Sequence, residues 1–375
     1  MRHGSMSIER MGSESGVRES LFAVGIELDG DGYHPGAWRR ADDEPGALFS
    51  ARKLRARVAA VENAGFTFAS FEDSIAPPGP GIGGRIDAVT RAGFVAAGTS
   101  TLGLVPAVAA TYAEPFHLSS QLASVDYASR GRAGWLAVDD PGTARTWGAA
   151  PRVSEDEIRR ERVDSIEVAR RLWDSWEDDA VVRDYAAGRF LDRDRLHHID
   201  FIGETFSVKG PAIVPRPPQG QVVVFGYEAA GSDIDVALVS GATVAETVEA
   251  VRRARAAGTP RVLVDLTVAL DTPGATAIER LADLDSSGEA DSAARLHFSG
   301  GSAELVALLT ELSGPADGVR LHLAVIDEDL PILARYVVPA LLRAGIAHRP
   351  VPGSTLRANL GLVRPANRYA KEFTR

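Results

Sequence analysis

Cysteine is absent from the 375-residue chain. Its absence excludes disulfides, thiol catalysis and thiolate metal sites, and it fits a reducing compartment, so a cytoplasmic protein is expected. Excess positive charge is also missing: 51 acidic residues against 41 basic ones give a formal net charge of −10. No basic cluster interleaves with aromatic residues, which argues against nucleic acid as a partner. The most charged segment, Arg152–Arg171, mixes both signs and reads as a solvated helix face. No apolar run approaches the ~20 residues of a membrane span, and the start has no signal-peptide core, so no membrane partner is expected. GxSxG, P-loop and Ser–His–Asp signatures are lacking too.

What is present is alternation. Apolar, turn-bounded runs read as strands at Leu21–Leu28, Phe66–Phe71, Leu102–Ala110, Ala133–Val138, Gln221–Tyr227, Ile234–Val239, Arg261–Leu270 and Val319–Ile326. Amphipathic helices fall between most of them, at Phe49–Ala64, Arg85–Gly98, Ser154–Trp176, Val244–Ala257, Gly301–Leu312 and Leu330–Arg343, with a further one around Phe116–Val125. Eight strands alternating with helices predict an α/β fold of the (β/α)8 TIM-barrel type, and such barrels hold this length as one domain. The domain is expected over residues 21–375, after a polar, disordered or vector-derived N-terminus at residues 1–20. One link departs from the pattern. Only Glu228–Asp233 separate the fifth and sixth strand runs, whereas a parallel crossover takes about a dozen residues. The barrel is therefore expected to be distorted or partly open there.

Several motifs carry a family resemblance. Thr111–Leu118 reads TYAEPFHL and Gly131–Trp135 reads GRAGW; HPGAWR begins at His34, LWDSW at Leu172, PRPPQG at Pro215 and RPANRY at Arg364. Taken in chain order they resemble the nitrilotriacetate and dibenzothiophene-sulfone monooxygenase branch of the bacterial luciferase-like superfamily. The resemblance implies a luciferase-like barrel, association with a second barrel as a homodimer or heterodimer, and oxygen activation by reduced FMN from a separate flavin reductase.

Carrying the family's flavin positions over one at a time gives an uneven result. The acidic residue after the second strand is kept as Asp73. The hydroxyl on the third strand is replaced by Ala107, and the asparagine after GRAGW by Leu136. The threonine and serine just beyond become Asp139 and Asp140, and the histidine and tyrosine of the next helix become Glu155 and Arg159. The hydroxyl and helix N-terminus after the fifth strand fall at Ala229 and Ala230, where the link is short.

These replacements point one way. A phosphate monoester carries about −2, and Glu72, Asp73, Asp139, Asp140 and Glu228 all map to one barrel mouth. One like-charge pair at roughly 4 Å costs about 4 kcal/mol at an effective dielectric of about 20. Arg145, Arg152 and Arg159 compensate only if they point inward. The expectation is weak or absent FMN binding and a non-catalytic partner of a homologous catalytic subunit; the alternative is an active FMN-dependent monooxygenase with a rebuilt site. Trp38 is expected at the mouth, Trp173 and Trp176 in packing, and His117 in a structural role. Adjacent His197 and His198 diverge, so no metal site is expected. Gly79, Gly81, Gly83 and Gly84 read as a loop without a phosphate-binding fingerprint.

Overall fold

The computed structural model describes residues 22–41, 45–76, 84–227, 233–286 and 295–370. The N-terminal segment 1–20, the glycines at 79, 81 and 83, and residues 228–230 of the short link therefore lie outside the described residues. Eight parallel strands form the barrel: β1 (Ala23–Glu27), β2 (Phe68–Phe71), β3 (Gly103–Ala109), β4 (Gly134–Val138), β5 (Val223–Tyr227), β6 (Val236–Val239), β7 (Arg261–Leu270) and β8 (Gly318–Leu323). Each pairs with its sequence neighbour, and β8 returns to β1 with Val24 opposite Val319. All eight expected runs are strands. Most of their residues are apolar and buried, because one face meets the barrel interior and the other the helices.

The helices are α1 (Ala51–Ala64), α2 (Ala88–Ala96), α3 (Pro115–Ser129), α4 (Glu155–Asp174), α5 (Val244–Ala256), α6 (Ala277–Asp285) and α7 (Ser302–Leu312). Then α8 (Ile326–Ile332) and α9 (Val338–Arg343) flank a π-helical turn at Leu333–Val337, and α10 (Leu356–Asn359) closes the series. Inside the barrel, Phe68, Val105, Leu136, Phe225 and Leu263 pack with Leu356 and Leu360 from the C-terminal segment. The rings of Phe68 and Phe225 meet at 5.2 Å. Each such buried side chain contributes about 1.5–3 kcal/mol. Phe68 also explains Gly25, where a Cβ would stand 2.1 Å from its ring.

The barrel does not open between β5 and β6. Val236, Ala237 and Leu238 pair in register with Phe225, Gly226 and Tyr227. The reason is that the link needs no helix: eight extended residues reach about 26 Å, more than the roughly 17 Å of a five-residue strand. Its last turn is pinned from both sides. The Asp235 N–H donates to the Val224 carbonyl at 2.8 Å, and its carboxylate accepts from the Val224 N–H at 2.9 Å. Arg170 and Arg357 neutralise that carboxylate, each at 3.2 Å. The link is short, as expected, but the ring is whole.

The segment after α4 adds two short antiparallel hairpins, Val181–Asp184 with Arg189–Leu191 and Phe201–Ile202 with Ser207–Val208, and two elements join the main sheet's side of the fold after β7. Helix α6 follows β7 behind a capping box of Thr276 and Glu279. A ninth strand, Leu296–Gly300, pairs in parallel with Leu266–Leu270, the outer half of β7. No helix among the described residues is long and apolar enough to cross a membrane.

Candidate functional site

Side chains on a barrel strand alternate between interior and exterior. In the upper barrel this brings Glu27, Ser70, Glu72, Tyr227, Asp265, Arg320 and His322 together at the carboxyl ends of β1, β2, β5, β7 and β8. On the β3–β4 side the inward residues Ala107 and Leu136 are apolar and fully buried. The mouth thus has a charged half and a bare half.

Arg320 organises the charged half. Its guanidinium is fully buried, with Nε 2.7 Å from Asp265 Oδ1 and Nη2 2.7 Å from Asp265 Oδ2. Nη2 also donates to the Tyr227 hydroxyl at 2.7 Å, and Nη1 reaches Glu72 Oε1 at 3.2 Å. Burial alone would raise the Asp265 carboxyl; Arg320 and His322 outweigh it and hold it well below the usual range. His322 stands 3.3 Å from Asp265. Burial pushes its imidazole down, which keeps it neutral near pH 7. Two members are unmatched: His322 Nε2 has no hydrogen-bond partner among the described residues, and neither has Glu27 Oε1. Glu27 is 4% exposed, and burial, with Asp29 and Glu72 nearby, raises its carboxyl well above the ordinary value.

Glu27, Glu72, Tyr227 and His322 of this set line a cavity of about 380 Å3, together with Asp29, Asp31, Tyr33, His34, Trp38, Arg85 and Arg295, and Arg320 bonds to that lining through Glu72 and Tyr227. Trp38 lines it while 52% exposed. A second cavity, about 210 Å3, lies on the bare half between the ends of β2–β4 and α3, and is lined by Asp73, Ala107, Val138, Asp140, His117 and Trp147 among others.

The family's flavin positions gather around this second cavity only in part. The Asp73 carboxylate accepts from the Ser74 and Ala88 N–H groups at 2.9 and 2.6 Å, which fastens the entry to α2. Asp139 is ion-paired with Arg162 of α4. Asp140 accepts from the Ser74 hydroxyl at 2.9 Å. Glu155 is exposed in the first turn of α4, and Arg159 is exposed with Asp156 at 3.9 Å. Arg152 is ion-paired with buried Glu161, while Arg145 is exposed in the loop after β4. Ala230 and Glu228 lie outside the described residues.

The quoted motifs do their work in the scaffold. Glu114 caps α3 by accepting from the Phe116 and His117 N–H groups. Arg132 donates to the carbonyls of Ser129, Leu102, Ala96 and Thr99 at the amino end of β4. Trp173 and Trp176 are buried and donate to the Ser119 and Ala212 carbonyls. Asn367 donates to the carbonyls of Asp174 and Trp176, both at 2.9 Å. His197 and His198 make separate contacts, with Glu177 and the Gly210 carbonyl. Among the described residues no cluster of three or more acidic or histidine ligands could hold a metal ion.

Residues 29–317, most of the barrel, match the luciferase-like monooxygenase family. The chain belongs to that family. It is 33% identical over 205 residues to the dibenzothiophene-sulfone monooxygenase of Rhodococcus erythropolis, covering 50% of this chain and 45% of that one. It thus spans about half the length of several curated relatives it matches. One of the two matching chains of the pristinamycin IIA synthase of Streptomyces pristinaespiralis is 31% identical over 328 residues, 88% of this chain and 95% of the relative. The structure of EDTA monooxygenase from Chelativorans sp. BNC1 superposes with a TM-score of 0.78 at 20% identity, covering 92% and 99% of the two chains, and shares the fold.

Asp265, Arg320 and His322 were missed by sequence reasoning, and Tyr227 was read only as a strand end. A signal was there: VDLTV and VRLHL set charged or polar residues at alternate positions of otherwise apolar strands.

Proposed function

We propose that this family member does not seat FMN in the manner its resemblance implies and serves as a non-catalytic barrel beside a homologous catalytic subunit. One observation carries this reading. Where a phosphate would be cradled, Asp139 and Asp140 stand at the end of β4, and nearby Arg162, Arg152 and Arg159 are already paired with carboxylates. Of the arginines near this end, Arg145 alone makes no ion pair among the described residues, and it is exposed in the loop after β4, so an anion entering there meets two acids against one uncommitted cation. The eight-residue β5–β6 link is also too short to supply a crossover helix, whose N-terminus would favour an anion. The residues present do not fit the phosphate end of the group.

Two further facts support the reading. The relative matched nearly end to end is itself one chain of a synthase with more than one kind of chain. The retained motifs bind backbone and core, which preserves a barrel able to associate while leaving its chemistry free to lapse. The cytoplasm is the proposed setting, in keeping with a chain that has no cysteine.

A second reading rests on the other half of the mouth. The Arg320, Tyr227 and Glu72 network is the kind of polar constellation an active monooxygenase with a rebuilt site would keep, supplied with reduced FMN by a reductase. Flavin fluorescence separates the two: titration with FMN is expected to show no saturable micromolar quenching. Co-expression with a neighbouring homologue, followed by size exclusion, is expected to give a mixed complex whose activity resides in the other chain. Flavin-dependent oxygen consumption by this chain alone would establish the second reading instead.

A further inference from the structure

The larger cavity at the mouth lies on the charged half, away from the flavin positions. Its floor carries two glutamates, Glu27 and Glu72, and the guanidinium that bonds Glu72, that of Arg320, is shared with Asp265 beneath. Arg320 spends two bonds on Asp265 and one on Glu72. Of the two wall cations, Arg85 is held by Asp29 at 3.1 Å while Arg295 makes no ion pair among the described residues; outside the lining, Arg91 is paired with Asp29 at 2.9 Å, and Lys53 and Arg57 with Asp31 at 2.8 and 2.9 Å. Arg295 acts on His322, whereas the charges that reach Glu27 are Asp29, Glu72, Arg320 and Arg91. Glu27 Oε1 is left buried and unpartnered, an arrangement that costs free energy until a donor arrives. A metal ion is a poor answer, because no ligand cluster exists among the described residues. Tyr33, Trp38 and Tyr227 add aromatic surface to the same cavity, and about 380 Å3 suits a small organic molecule.

We infer that this cavity binds an organic cation, a protonated amine on a compact apolar body, whose N–H groups donate to Glu27 and Glu72 and whose body lies against Tyr33, Trp38 and Tyr227. Aromatic faces favour such a cation electrostatically. The ammonium supplies the positive charge that the floor lacks, and Glu27 ionises to meet it. The inference rests on the reading that FMN does not fill the mouth.

The test is calorimetry on the full chain with a panel of arylalkylamines that includes benzylamine, and with benzyl alcohol as the neutral control. Benzylamine is expected to bind about ten- to hundredfold more tightly than the alcohol, the worth of a charge-assisted hydrogen bond. Heats measured in two buffers of different ionisation enthalpy should show proton release at pH 6–7 on amine binding. Glu27→Gln, close in shape, should lose both the preference and the proton release while its circular dichroism stays unchanged; Glu72→Gln, tested beside it, should weaken the amine without abolishing the proton release. Equal binding of amine and alcohol, no binding by any amine of the panel, or unchanged binding by Glu27→Gln would overturn the inference. A parallel FMN titration keeps the two claims apart. FMN that saturates the mouth and excludes the amine sinks the functional reading, whereas failure of both ligands sinks the inference alone.

Discussion

Asp265 and Arg320 are register partners on β7 and β8, and their side chains meet inside the barrel as a two-point ion pair with both contacts at 2.7 Å. Two planar groups aligned by neighbouring strands lose little freedom in pairing. With Arg320 fully buried, the cost of removing its counter-charge is high.

Asp265→Asn is therefore expected to destabilise the chain by about 3–5 kcal/mol, read from urea denaturation. Replacing both partners with apolar residues of similar volume, Asp265→Leu with Arg320→Met, should recover much of that loss. A loss under about 1 kcal/mol for Asp265→Asn would mean that the pair is solvated as a surface bridge is.

Glu27 sets a dependence on pH with the opposite sign from an ordinary salt-bridged acid. Its folded pKa is raised by burial and by Asp29 and Glu72, so the folded state holds a proton that the unfolded state has given up. That contribution to stability is fully present below the ordinary glutamate value and fades as pH rises through the folded one. Glu27→Gln should thus raise the melting temperature relative to the parent chain, by an increment that grows from pH 5 to pH 8. A constant or shrinking increment would show that Glu27 is ionised throughout. Buried Asp126, pushed up to about 7 by burial, bends the parent curve in the same direction, so the difference between the two proteins is the quantity to follow.

Arg132 of GRAGW holds carbonyls of three different segments with one rigid fork. Lysine keeps the charge but not the fork. Arg132→Lys is expected to cost about 2–4 kcal/mol as buried carbonyls lose their donors, with little effect on ligand binding at the mouth. Chemical denaturation together with the amine titration checks both halves of that statement.

Asp139→Asn would leave the Arg162 guanidinium beside the end of β4 without its carboxylate. FMN affinity should then rise by about five- to tenfold, and the gain should shrink with added salt. If the affinity does not move, charge at β4 is not what keeps the nucleotide out.

Much of the fold was readable because barrel strands are buried on both faces and stand out as apolar runs. Arg261–Leu270 is the same strand in sequence and in structure. Leu296–Gly300 escaped because a short, half-polar run beside one strand lacks that signature. The closure at β5–β6 escaped because chain length was weighed against a crossover helix, while the entry to β6 at Asp235 depends on Arg170 and Arg357, far away in sequence. The mouth was legible on its flavin side alone, where motif positions guide the eye. Its charged side depends on which strands become neighbours, and Asp265 is 55 residues from Arg320.

The ninth strand has a consequence for traffic at the mouth. By continuing alongside β7 it builds a bank roughly 15 Å tall on one side of the opening, while the β3–β4 side stays low and greasy. Val138 and Trp147 line the cavity on that lower side, and substitutions there should alter the residence time of a guest in it more than they alter encounter.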